Sequence, residues 1–176
     1  SLVFNAQGQL LYQGKAFEPC LKTIPIDQAQ PIISPQESDL ALIQKALVTG
    51  IRDYVGKTGF SKVVLGLSGG IDSAVVATLA VEALGAQSVT GILMPSEVSS
   101  EGSLTDALAL AKQLNIEHHI LPIHDLYNMA INTLQTVLPS TEKTYSLTQQ
   151  NLQATARGIL LMAYANQHNA LVLATG

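Results

Sequence analysis

The residues with the clearest chemical capacity lie between Lys62 and Leu84. An apolar run (Val63, Val64, Leu65) leads into Gly66-Leu67-Ser68-Gly69-Gly70, then Ile71-Asp72-Ser73 and a helix pattern rich in Ala, Val and Leu. A strand that empties through glycines into a helix start presents unpaired backbone N–H groups and the positive end of the helix dipole, which together form a seat for an anion. The glycines let the backbone approach phosphate oxygens closely, because no Cβ intervenes and positive φ is cheap. Ser68 and Ser73 add hydroxyl donors. A carboxylate at Asp72 beside a polyphosphate makes chemical sense when a divalent cation lies between the two. The plainer reading is a tight strand-to-helix turn in which Asp72 satisfies the first N–H groups of the helix. The complete order of strand, loop, Asp-Ser and helix favours phosphate.

Three histidines, His118, His119 and His124, invite a metal or base reading, but no carboxylate or cysteine recurs around them with ligand spacing. They read as ordinary polar residues near a strand end. No order of Ser, His and Asp suggests a nucleophilic triad. Asn151 and Arg157 fall on a long helical pattern whose apolar positions include Leu152, Ile159, Leu160 and Ala163. For both residues a solvated or structural role stands beside a substrate contact.

The elements that must position these groups follow from periodicity. Leu2 to Phe17 alternates and turns like a β-hairpin, with Asn5-Ala6-Gln7-Gly8 between its strands, and two strands alone are marginal in water. Residues 18–33 lose period and carry Pro19, Pro25 and Pro31, which reads as an extended connector. Ser34-Pro35-Gln36-Glu37 signals a helix start with Ser34 as cap, followed by Leu40, Ile43, Leu47, Ile51 and Val55 at helical spacing on a face expected against the sheet. After the glycine loop and its helix, Gly85 is a stop and Val89 to Met94 a second strand. A polar loop over residues 96–103, a helix over 104–114, a short strand over 119–123, helices over 126–138 and 147–167, and a last strand over 171–174 complete the pattern. Strands alternating with helices of this length predict an α/β fold with a doubly wound parallel sheet. In such sheets ligands lie beyond the carboxyl ends of the strands, near the point where strand order reverses.

Composition narrows the class. With 176 residues the chain suits one ordinary domain, and 47% hydrophobic against 12% charged residues implies extensive burial, some of it against a partner subunit. Nine Lys plus Arg, scattered singly in a chain of net charge −4, make no basic stripe for nucleic acid. Cys20 stands alone, so no intrachain disulfide or Cys-based zinc site is available. No apolar run approaches a membrane span and no signal-peptide pattern opens the sequence, so a cytoplasmic protein is expected.

Gly66-Leu67-Ser68-Gly69-Gly70-Ile71-Asp72-Ser73 resembles the pyrophosphate-binding loop of the N-type ATP pyrophosphatases, whose fold is Rossmann-like, of the adenine nucleotide alpha hydrolase kind. Three further stretches resemble the glutamine-dependent NAD synthetases within that superfamily: Leu93-Met94-Pro95-Ser96 with Ser99-Ser100-Glu101; Gln150-Asn151-Leu152-Gln153-Ala154 with Arg157-Gly158; and Leu173-Ala174-Thr175-Gly176. Val98, Gln150 and Thr155 depart from the usual pattern, standing where an aromatic residue, a Glu and an Arg are common. The resemblance implies a synthetase domain over 34–176, a linker over 18–33, and a terminal hairpin over 1–17 from a preceding nitrilase-like glutaminase domain. It implies a ligase that amidates deamido-NAD with ammonia from glutamine, through an adenylate, releasing AMP and pyrophosphate. Gly66, Leu67, Ser68, Gly69, Gly70, Ile71, Asp72, Ser73 and Thr175 would hold ATP and the departing pyrophosphate. Asp72 would hold Mg2+ as the catalytic carboxylate, Asn151 would contact deamido-NAD, and a second metal carboxylate would lie beyond Gly176. A homo-oligomer through the synthetase domain is also implied. The alternatives are another amidating enzyme of the superfamily, of the GMP synthetase kind, or a nucleotide-binding module without catalysis.

Overall fold

The computed structural model describes the chain except residues 28, 35–36, 97–99, 135–136, 138–141 and 175–176; the side chains of residues 101 and 142–146 are likewise not described. It divides into two compact units, residues 1–50 and 51–176, with the division inside a helix.

In the first unit, β1 (Leu2–Phe4) and β2 (Leu10–Gln13) pair antiparallel as the alternation predicts. The turn is built by Asn5, whose Oδ1 accepts from the N–H groups of Gln7 (3.0 Å) and Gln9 (2.8 Å), with Gly8 at φ +75° where other residues would be strained. Helix α1 spans Asp39–Lys57 and begins later than expected. Ser38, not Ser34, is the cap: its Oγ accepts from the Ala41 N–H at 3.3 Å. Glu37 does not reach back in a capping box but takes the Lys45 ammonium at 2.7 Å, and Pro35 and Gln36 lie outside the described residues. The expected apolar face is also only half right, since Leu40, Ile43 and Leu47 are exposed while Ile51 and Val55 join the core of the second unit.

That unit is a four-stranded parallel sheet, β3 (Val63–Gly66), β4 (Val89–Leu93), β5 (Glu117–Ile120) and β6 (Leu171–Leu173), in the order β5-β4-β3-β6. The chain winds from β3 through β4 to β5 on one side, then crosses to β6 on the other. Strand order therefore reverses between β3 and β6, whose register pairs Val63 with Leu171 and Leu65 with Leu173. Crossovers are made by α2 (Ile71–Leu84), α3 (Glu101–Gln113), α4 (His124–Leu134) and α5 (Glu142–His168). A short 3-10 turn over Ala86–Ser88 follows the Gly85 stop, which sits at φ +83°.

Both faces of the sheet are covered, so β3 and β4 read as apolar runs instead of alternating patterns. On one face Val63, Leu65, Val89 and Leu93 pack against Ala77 and Ala80 of α2, Ala107 and Ala111 of α3, and Val55 of α1. On the other, Val64 and Ile92 pack against Ala156 and Ala165 of α5 and Ile123 at the entry to α4. Small residues on the helices allow close approach to the branched side chains of the sheet. The strand expected at 119–123 falls two residues earlier and α3 starts three residues earlier than expected. Among the described residues no helix is long and apolar enough to cross a membrane.

Leu65 is fully buried in the central strand. Leu65→Ala should therefore lower the free energy of unfolding by roughly 3 kcal/mol, read by urea denaturation. A loss below about 1 kcal/mol would show that the sheet collapses around the missing side chain.

Candidate functional site: a glycine loop at the switch point

The loop from Gly66 to Gly70 leaves β3 beside the strand reversal and is held on two sides. From below, the Leu67 N–H donates to the Ile92 carbonyl at 2.9 Å and the Leu67 side chain, 4% exposed, turns down into the sheet. It lies so close over Gly91 of β4 that a Cβ there would meet Leu67 Cγ at 3.0 Å and collide with Cδ1. From the side, Gly69, at φ +78°, touches the backbone of Ser103 in the first turn of α3. A Cβ at Gly69 would sit 2.8 Å from Ser103 Cα and clash with its carbonyl oxygen.

The loop also closes on itself through hydroxyls. Ser73 Oγ donates to the Gly70 carbonyl (3.0 Å) and accepts from the Ser68 N–H (3.3 Å); Ser68 Oγ lies 3.1 Å from Ser73 Oγ and accepts from the Gly70 N–H at 3.1 Å. Ser73 is 3% exposed, so its hydroxyl shapes the loop from within. Ser68 is exposed. The two neighbouring helix starts differ in a telling way. At α3, Ser100 Oγ accepts from the Ser103 N–H at 3.1 Å, a complete cap. At α2 the cap position is Gly70 in extended conformation, and no side chain caps it. Its positive end is left for an external acceptor.

Above the loop opens a cavity of about 750 Å³. Gly66, Leu67 and Ser68 line one side, Met94 and Pro95 at the end of β4 another, and Ala154, Arg157 and Leu161 of α5 a third. Leu173 and Ala174 of the last strand also reach it. Arg157 is the one charged side chain on its described wall. Its Nε donates to the Met94 carbonyl at 3.3 Å, tying α5 to the end of β4, and burial pushes its pKa below the usual value. Because an arginine stays charged even so, the cavity keeps a fixed positive group.

The expected site residues are thus distributed unevenly. Gly66, Leu67 and Ser68 line the cavity, while Gly69, Gly70 and Ser73 shape the loop behind it. Ile71 and Asp72 are exposed on the first turn of α2, and Asn151 is exposed one turn before Ala154 on α5; none of the three is among the cavity's walls. Thr175 lies outside the described residues, immediately after Ala174. Among the described residues no group of three His, Cys, Asp or Glu side chains converges as a metal cage. His118 and His119 take ordinary partners, the Ile116 carbonyl (3.3 Å) and the Glu117 carboxylate (3.1 Å). Sequence reasoning missed Ser103, which it left in a loop; the available signal was a cap-type residue, Ser100, shortly before the apolar period that begins at Leu104.

The fold and the loop define a doubly wound α/β domain with a glycine loop and a helix start without a side-chain cap at its switch point. The family model described as NAD synthase matches residues 43–176, and the chain belongs to that family. It is 42% identical, over its whole length, to a glutamine-dependent NAD(+) synthetase of Synechocystis, of which it covers 32%. Among solved structures it resembles the glutamine-dependent NAD+ synthetase of Acinetobacter baumannii, solved with adenosine diphosphate (TM-score 0.89, 36% identity, 99% of this chain and 34% of that one). It also resembles an NMN synthetase of Francisella tularensis (TM-score 0.72, 33% identity, 80% of this chain and 56% of that one). The chain spans about a third of the length of the curated relatives it matches.

Gly59 and Gly69 share a positive φ, but a Cβ at Gly59 would enter open space. Gly59→Ala should cost only the conformational strain, about 1 kcal/mol. Gly69→Ala should cost more and also weaken anion binding, measured by denaturation and by pyrophosphate titration. Equal costs at the two positions would remove the Ser103 contact from the account.

Proposed function

We propose that this chain carries the nucleotide-activating part of a glutamine-dependent NAD synthetase, a ligase that amidates deamido-NAD to NAD. The observation that carries the reading is the uncapped start of α2, at a glycine loop opening on a 750 Å³ cavity, in a chain of the NAD synthase family. A nicotinate carboxylate does not exchange oxygen for ammonia at neutral pH, because an oxide would have to leave. Attack of that carboxylate on the α-phosphorus of ATP, with loss of pyrophosphate, gives a mixed anhydride from which ammonia displaces AMP. The ADP complex of the Acinetobacter relative supports an adenine nucleotide as ligand.

The protein's task in this scheme is positioning and charge stabilisation. The backbone from Gly66 to Gly70, the Ser68 hydroxyl and the start of α2 at Ile71 would hold the departing pyrophosphate, with Ser73 fixing their geometry. Thr175 would help hold ATP beyond the last strand, and Asn151 would contact deamido-NAD. Asp72 fits Mg2+ as a single exposed carboxylate beside a phosphate seat, since this ion keeps several waters and takes one or two carboxylates plus phosphate oxygens. The ion would offset charge on the polyphosphate.

The preceding hairpin, residues 1–17, is read as the end of a glutaminase domain that supplies ammonia, with residues 18–33 as linker and 34–176 as synthetase. Exposed Leu147 and Ile159 on α5 support a homo-oligomer, which light scattering would contradict by giving a monomer at high concentration. A cytoplasmic site fits the lone thiol of Cys20, which is exposed. The Francisella relative favours one second reading, in which the acceptor is a mononucleotide instead of the dinucleotide. Direct competition between the two acids separates them.

The full-length protein given ATP, magnesium, deamido-NAD and ammonia should yield NAD, AMP and pyrophosphate; ADP and phosphate as products would refute the scheme. Asp72→Ala should reduce turnover by roughly a hundredfold or more while leaving the thermal transition in place. Unchanged turnover would remove the metal role.

A further inference from the structure

We propose that Ser100 is a positioning residue for the phosphate seat, acting through Ser103 on Gly69. The inference rests on the function proposed above and adds to it a residue that touches neither nucleotide nor metal in that scheme. Three observations form the chain. Ser100 Oγ accepts from the Ser103 N–H at 3.1 Å and lies 2.8 Å from Ser103 Oγ, so one side chain fixes both the backbone and the hydroxyl of Ser103. The Ser103 backbone in turn packs against Gly69 with no room for even one added carbon. Gly69, at φ +78°, is the residue that turns the loop toward the start of α2, and its neighbour Ser68 lines the same cavity as Ser103.

The loop's internal hydroxyl bonds work differently from this contact. They tie Ser68, Gly70 and Ser73 together, and the bond from the Gly70 N–H to Ser68 Oγ spans Gly69, but none of them is made by a group of Gly69 itself, whose Cα is met from the side by Ser103. Glycine is the residue with most freedom to lose, so an unsupported Gly69 would sample more conformations and the loop backbone would lose its fixed geometry. A wall of fixed backbone restricts that freedom without a covalent cost. The turn that supplies the wall is itself only as fixed as its cap, and replacing a serine cap by alanine loosens a helix start measurably. The link joins the first turn of α3 to the loop that follows β3.

The test uses the full-length protein with Ser100→Ala and the cap-restoring Ser100→Asn. Amide hydrogen exchange without nucleotide should speed up at Gly69, Gly70 and Ile71 in Ser100→Ala and return in Ser100→Asn. ATP affinity and the KM for ATP should weaken by about fivefold in the alanine variant and recover in the asparagine variant. The KM for the acceptor should stay unchanged. Unchanged exchange at the loop amides overturns the proposal whatever the nucleotide result. So does faster exchange with unaltered ATP affinity. If the unsubstituted protein binds no ATP, the proposed function fails instead, and the exchange experiment still reads the contact on its own.

Discussion

The structure depends on how a glycine loop is anchored to the sheet beneath it. Leu67 is the anchor: a buried apolar side chain in the middle of an otherwise polar loop, seated over the one position of β4 that lacks a side chain. Burial of a leucine is worth about 1.5–3 kcal/mol, far more than any single hydrogen bond in the loop. Leu67 therefore sets the height of the loop, and its hydroxyl bonds set only the detail. Gly91 is the counterpart that makes this possible. A larger residue there would lift the loop away from the cavity.

Two kinds of work are consequently separated within eight residues. The buried side chains of Ser73 and Leu67 give the loop its shape, while Gly66, Leu67 and Ser68 line the cavity. A loop that satisfies its own hydroxyls is ordered before a ligand arrives, so little conformational freedom remains to be lost on binding. What it leaves open is the backbone at the start of α2, which no side chain caps. The capped start of α3 beside it shows the contrast within one fold. Ser100 gives the start of α3 its own acceptor, whereas no side chain supplies one to the start of α2.

Much of this was legible in the sequence, for reasons that can be named. Fully buried strands such as Val63-Val64-Leu65 announce themselves as short β-branched runs between breakers, and the glycine spacing marked the loop without reference to the rest. Helix starts were harder. Ser34-Pro35 carries a cap pattern although the helix starts after Ser38, and the stretch before Leu104 reads as a polar loop although it holds the cap at Ser100, because only packing decides where a helix begins. The apolar stripe of Leu40, Ile43 and Leu47 misled for a related reason, since periodicity reports an amphipathic helix but not what covers it.

Contacts far apart in sequence were not legible at all. Nothing in the neighbourhood of Arg157 indicates that its Nε reaches the Met94 carbonyl, 63 residues away, or that a guanidinium so placed would border the same cavity as Ser68. The arrangement has an electrostatic consequence. Phosphate bound at the start of α2 would feel partial charges that fall off within one helical turn, whereas Arg157 carries a full charge in a partly desolvated position. A ligand that spans from the loop to α5 is thus met by positive potential at both ends and by apolar walls, Met94 and Leu161, between them. The fold produces this cavity by bringing one helix across the reversal point of the sheet.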